Sequence, residues 1–174
     1  MNPCKCGFFP DLEKCRCTPT QIRRYLNRVS GPFLDRIDIG VEVPRQDLGM
    51  MSAEKSIDEG SFPQTEQRNS SAVMRARVME ARVRQEKRFA DESISYNSQM
   101  TRRQIEEYCR LSGEDAVFLE KVERQQGISA RGHGKILKVA RTLADLDGQA
   151  EIGRTQLAEA IGFRSFEKKY WGSL

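Results

Sequence analysis

Four of the chain's five cysteines fall within its first seventeen residues, as Cys4, Cys6, Cys15 and Cys17, in the spacing C-x-C-x8-C-x-C. Few arrangements restrict a short segment more. Two close thiol pairs suit one tetrahedral metal ion, and zinc takes about four such ligands at roughly 2.3 Å. A C-x-C pair has a tighter bite than the commoner C-x2-C knuckle, and Asn2, Pro3 and Gly7 supply turn-forming residues around it. No apolar h-region marks a secretory signal at the N-terminus. A cytoplasmic location is therefore the default expectation, and there clustered thiols favour metal over disulfides. Four reduced thiols in an ordinary loop is the alternative. The fifth cysteine, Cys109, shares a helical face with Ile105 and Leu111 and reads as a small buried hydrophobe.

The remainder has the makings of a modest core and a large charged surface, with 38% hydrophobic and 31% charged residues. No stretch approaches the 18 or so apolar residues of a membrane span. The net charge of +4 is unevenly spread. Ala72–Ala90 carries six basic residues (Arg75, Arg77, Arg82, Arg84, Lys87, Arg88) against two glutamates, one basic helix on a nearly balanced domain. That helix suits nucleic acid, a neighbouring acidic face, or plain solvation.

Periodicity divides the chain in three. Thr18-Pro19 is a helix start, with Ile22, Tyr25, Leu26 and Val29 on one face and Gly31-Pro32 as its end. Ile37–Val43 alternates apolar and polar residues and reads as a strand closed by Pro44. Residues 45–71 lose all periodicity and read as a flexible linker. Residues 72–174 read as an all-helical bundle. Its predicted helices are capped by Ser71, Thr101, Ser112 and Ser129, with Gly127 and Gly148 as stops, and the last of them runs over about 154–161. The expected fold class is thus mainly α: a short helix plus strand over 1–44, then a helical domain.

Two arginines attract notice. Arg36 stands at the end of a short turn just before the predicted strand, a place from which a guanidinium can reach a neighbour's transferring phosphoryl group; an ordinary surface ion pair is the plainer reading. Arg131 lies in the first turn of the strongest helix, where a cation opposes the helix dipole. Gly132 and Gly134 beside it each cost a helix about 1 kcal/mol. A phosphate held at that helix start would account for the choice, and a poorly formed first turn is the alternative. His133 is the sole histidine and has no evident partner.

These pieces, in this order, resemble the C-terminal half of the magnesium-chelatase-like AAA+ ATPases of the ComM/YifB family. The resemblance is carried by Met1-Asn-Pro-Cys-Lys-Cys-Gly-Phe, Cys15-Arg-Cys-Thr-Pro, Arg28-Val-Ser-Gly-Pro-Phe-Leu-Asp-Arg-Ile-Asp-Ile and Val41-Glu-Val-Pro. It continues through Arg82-Val-Arg-Gln, Gly127-Ile-Ser-Ala-Arg, Ile136-Leu-Lys-Val-Ala-Arg-Thr-Leu-Ala-Asp-Leu and Lys169-Tyr-Trp. The resemblance implies an end of the AAA+ αβα core over 1–44 and a helical lid over 72–174. It implies Asn2 as the sensor-1 residue orienting the attacking water, Arg36 as the arginine finger acting on a neighbour's ATP, and Arg131 as the sensor-2 arginine of the lid. It further implies a ring-shaped homo-oligomer, ATP and Mg2+ as cofactors of the full-length parent, and DNA branch migration as its work. The chain departs from the pattern at Lys5, where proline is common, and in the glycine-rich Gly132-His133-Gly134. It also holds no G-x4-G-K-[ST] phosphate loop. The expectation is a fragment without ATPase activity of its own. The alternative reading is a stand-alone zinc-binding, DNA-binding or regulatory module.

Overall fold

The computed structural model describes residues 2–43 and 70–171, and all the regular structure among them is helical. The helices are α1 (Pro19–Leu26), α2 (Gly31–Leu34), α3 (Ser71–Arg88), α4 (Arg102–Tyr108), α5 (Gly113–Gln126), α6 (Ala130–Leu146), α7 (Arg154–Gly162) and α8 (Ser165–Trp171), with a 3-10 turn at Asn97–Gln99. The mainly-α expectation holds. Most of the predicted linker, residues 45–69, lies outside the described residues.

Local chemistry explains where the helices begin. Thr18 and Thr101 each cap a helix reciprocally: the threonine hydroxyl accepts from the backbone of Gln21 or Gln104, whose side chain accepts from the threonine amide. Ser112 and Ser129 accept from Asp115 N and Gly132 N. Gly127 ends α5 in the left-handed conformation, φ +69°, which a side chain would resist. Helix α3 is capped by Ser70 rather than Ser71. Gly31-Pro32 opens α2 instead of merely closing α1, as proline's fixed φ at a first helical position allows.

Ile37–Val43 is not a strand. A strand exists through its ladder, and among the described residues no neighbour offers one. The connection after α7 takes the backbone bonds instead: Gly40 N donates to Phe163 O at 2.9 Å, and Arg164 donates to Ile37 O at 2.9 Å. The alternation survives as exposed Ile39, Val41 and Val43.

Helix α6 is the axis of the larger unit. Its buried stripe is Gly132, Ile136, Leu137, Ala140, Arg141, Ala144 and Asp145, and it packs on α3, α4 and α7. Around it lie Phe89, Met100, Cys109, Leu119, Ile152, Leu157, Ala160 and Ile161. Each large side chain buried there contributes about 1.5–3 kcal/mol. Cys109 belongs to this core, as expected, and burial pushes its thiol up to about 11. Helix α3 docks only by its C-terminal half, through Ala81 and Gln85, with Phe89 just beyond; residues 71–80 are all exposed.

A charged centre sits inside this bundle. Asp145 is fully buried, and Arg141 is 2% exposed. Asp145 receives Arg88 through both carboxylate oxygens, Asn97 Nδ2 at 2.8 Å and Arg141 at 3.1 Å. Arg141 also donates to the carbonyls of Ala150 and Gln149, and Arg84 donates to the Asp145 carbonyl. Arg84 and Arg88 of the basic helix α3 are thus turned inward to fasten it to α6.

Candidate functional site

The four clustered cysteines come together as the spacing suggests. Gly7 N donates to Cys4 O at 3.1 Å with Gly7 at φ +80°, and Cys15 N donates to Asp11 O at 2.9 Å, so each pair is presented by its own turn. The Sγ atoms of Cys4 and Cys6 are 3.3 Å apart, Cys6 and Cys15 3.6 Å, Cys4 and Cys15 3.8 Å, and all four lie within 4.8 Å of one another. Thiolates at roughly 2.3 Å from a tetrahedral zinc stand about 3.8 Å apart, so the donor set and its spacing fit that ion. A hydrogen bond from the Phe8 backbone holds the Cys6 thiol down to about 6. The backbone at Cys17 lowers Cys15, but burial and the thiols of Cys6 and Cys4 outweigh it and leave Cys15 at about 11.

Aromatic residues that sequence reasoning missed pack on the small core to which Cys4 belongs. Helix α8, beyond the last predicted helix, brings Tyr170 and Trp171 against the small core of Cys4, Ile22 and Leu26, which Cys6, Phe9, Cys15 and Cys17 also flank. Trp171 Nε1 donates to Leu26 O at 3.1 Å, and Phe9 meets Tyr170 edge-on at 6.3 Å. The signal was the aromatic pair in Lys169-Tyr-Trp, whose partner is some 145 residues away in sequence.

The three residues implied to sense ATP are not gathered in one place. Asn2 is exposed beside a cavity of about 800 Å³ that Phe9, Lys14, Val41 and Tyr170 also line. Arg36 is exposed just past α2, and among the described residues its side chain donates to Pro32 O at 2.7 Å. Arg131 is exposed in the first turn of α6, on the rim of a larger cavity of about 1310 Å³ with Asp38, Ile39, Ile105 and Leu119. Among the described residues its guanidinium meets no acid. His133, expected to be unpartnered, has its Nδ1 2.6 Å from Glu123 Oε1.

The glycines beside Arg131 differ. A Cβ on Gly132 would stand 2.7 Å from Ile128 Cγ2, a branched methyl with little freedom to move, whereas on Gly134 it would meet only Ile105 Cδ1 at an ordinary 3.5 Å. Close packing thus accounts for Gly132. The first turn of α6 is well formed, with Ser129 bonded to Gly132 N at 3.0 Å. No helix among the described residues is long and apolar enough to cross a membrane.

Residues 68–164 match the family model for magnesium chelatase, subunit ChlI C-terminal, and residues 1–51 match that for magnesium chelatase, subunit ChlI. The chain is 40% identical over 166 residues to the competence protein ComM of Haemophilus influenzae, covering 95% of this chain. It is 40% identical over 168 residues to the uncharacterized protein YifB of Escherichia coli, covering 97% of this chain. It is 31% identical over 163 residues to an uncharacterized protein of Mycobacterium tuberculosis, covering 94%. In each case the chain spans 30% of the relative's length.

Proposed function

The chain belongs to the magnesium chelatase ChlI family, and from that premise we propose that it is the C-terminal portion of a ComM/YifB-like AAA+ ATPase. In this reading residues 1–44 end the ATPase core, 45–71 link, and 72–174 form the lid. Asn2 orients the attacking water. Arg131 contacts ATP phosphate, and Arg36 serves the ATP of the adjacent subunit in a homo-oligomeric ring. The turnover drives DNA remodelling such as branch migration; the name of the Haemophilus relative, a competence protein, supports DNA as the partner.

The observation that carries the reading is the setting of Arg131. A cation in a helix's first turn opposes the macrodipole, yet this one stands exposed at a cavity rim with no acid among the described residues to answer it. A phosphate there would be held by the helix start and the guanidinium together. The measurement is steady-state ATP turnover by full-length protein in which these residues accompany a phosphate loop. Arg131→Ala removes a charge-assisted bond of about 1.5–3 kcal/mol, so the KM for ATP is expected to rise about tenfold or more. An unchanged KM and kcat would remove Arg131 from the nucleotide site.

Within the same reading Cys4, Cys6, Cys15 and Cys17 hold one structural zinc, whose contribution is to stiffen the loop between Asn2 and Arg36. Zinc is closed-shell and four-coordinate in such sites, so its role here is mechanical. Protein prepared without chelator is expected to contain about one zinc per chain. Cys4→Ser, at the most buried of the four thiols, should strip it. Metal-free protein with four freely reactive thiols would contradict the assignment.

A further inference from the structure

The cysteine block and the helix behind it carry an unbalanced charge. Residues 4–28 hold six basic side chains, Lys5, Lys14, Arg16, Arg23, Arg24 and Arg28, against Asp11 and Glu13 alone. All eight are exposed. Lys14 pairs with Asp11 at 3.7 Å, and among the described residues the other five cations meet no acid. Lys5 and Arg16 are the middle residues of the two C-x-C pairs, and the Cys6 thiol accepts a hydrogen bond from the Arg16 backbone, so the two tips stand close together. Helix α1 and the turn after it bury Ile22 and Leu26 and leave Thr20, Arg23, Arg24, Asn27 and Arg28 exposed. The helical domain treats exposed arginines differently: Arg102 and Arg124 each pair with a glutamate one turn away on the same helix. The dipole of α1 favours cations in its last turn, which accounts for Arg23 and Arg24. It does not account for Lys5, Arg16 or Arg28, which lie outside the helices.

We propose that the cysteine block and α1 bind the phosphate backbone of duplex DNA, with Arg23, Arg24 and Arg28 as the central contacts and Lys5 and Arg16 as further ones. Cations without acids beside them match a polyanion, and each phosphate they neutralise releases counterions. The exposed side chains of α1 and its turn are polar, so this surface lacks the apolar centre of a protein interface. It also lacks the open aromatic platforms on which unpaired bases stack. Its one aromatic, Tyr25, is half-buried with Arg28 5.6 Å from the ring centre. Helix α3 is the contrasting case, since Val73, Met74, Val78 and Met79 lie exposed among its arginines. A zinc ion held by four thiolates would add two negative charges to the block and leave it net positive. This inference rests on the reading of DNA as the partner, and is independent of which residues sense ATP.

The test is binding of the chain to a short labelled DNA duplex, followed by fluorescence anisotropy between about 50 and 200 mM salt. For three to five phosphate contacts, log K against log salt is expected to slope by about −3 to −4.5, roughly 0.9 for each contact. Arg23→Gln with Arg24→Gln removes two exposed charges and keeps the helix propensity. The slope should become shallower by about 2, and binding at low salt should weaken about tenfold or more. Arg75→Gln with Arg77→Gln takes the same charge from α3 and should change binding less than about twofold, because exposed charges outside the contact are screened. Neither pair should move the melting temperature, since all four side chains are exposed. Equal losses from both pairs would reduce the effect to net charge and overturn the proposal, as would an unchanged slope in the α1 variant. Polyglutamate that binds as tightly as the duplex at the same salt would assign the surface to an acidic protein instead. A chain that leaves the duplex unbound at about 50 mM salt also overturns it. The DNA reading itself fails only if the full-length protein leaves the duplex unbound as well.

Discussion

In the full-length ring ATPase proposed above, Arg36→Ala is expected to lower ATP turnover by about 10³-fold or more, the range over which an arginine finger acts, with little change in stability or nucleotide affinity. The separation follows from the structure. Arg36 is exposed, and among the described residues its side chain makes one bond, to Pro32 O in its own short helix. Its removal leaves no buried group unpaired, and surface substitutions of that kind stay within about 0.5 kcal/mol. A guanidinium acting on a neighbour's transferring phosphoryl group stabilises charge present mainly in the transition state, so the loss falls on kcat. Mixing variant and wild-type subunits should depress turnover at sites whose neighbour lacks the arginine. Lysine should rescue poorly, since a point charge does not reproduce the planar fork. Turnover within about twofold of wild type would place the finger elsewhere.

Asp145→Ala is expected to remove a large part of the helical domain's stability. The carboxylate is fully buried and receives Arg88, Arg141 and Asn97. Deleting it strands two guanidinium groups, one of them 2% exposed, and breaking a buried pair from one side costs about 3–5 kcal/mol. A domain of this size has about 5–15 kcal/mol in total, and each kcal/mol is worth about 4–8 °C in Tm. The melting temperature should therefore fall by about 12 °C or more. Burial lowers the Arg141 pKa, and the Asp145 charge works against that fall. Asp145→Asn, which keeps acceptor and shape but not charge, should recover part of the loss. A drop below about 5 °C for the alanine variant would mean that water or repacking compensates.

Much of the helical domain could be read because capping is local. Thr101 with Gln104, Ser112 with Asp115, Ser129 with Gly132 and the left-handed Gly127 each act within three or four residues. The cysteine block was legible for the same reason: turns brought thiols already near in sequence into one cluster. What escaped depends on distant partners. Arg88 reads as surface charge until Asp145, 57 residues on, is seen to receive it. Lys135 donates to the backbone carbonyl of Arg36 from 99 residues away. Ile37–Val43 has the pattern of a strand, but pattern cannot say whether a ladder partner is at hand, and here Phe163 and Arg164 take the bonds.

The contact between helix α8 and the cysteine cluster also gives the molecule an optical gauge. Trp171 is the chain's sole tryptophan, and its indole is bonded to Leu26 O on the helix that follows the cysteines. It packs on the core of Cys4, Ile22 and Leu26, with the Tyr170 ring 6.3 Å away. Emission from this one indole therefore reports a single place, so filling or emptying of the thiol pocket can be followed as a change in intrinsic fluorescence, without a label and without reference to any catalysed reaction.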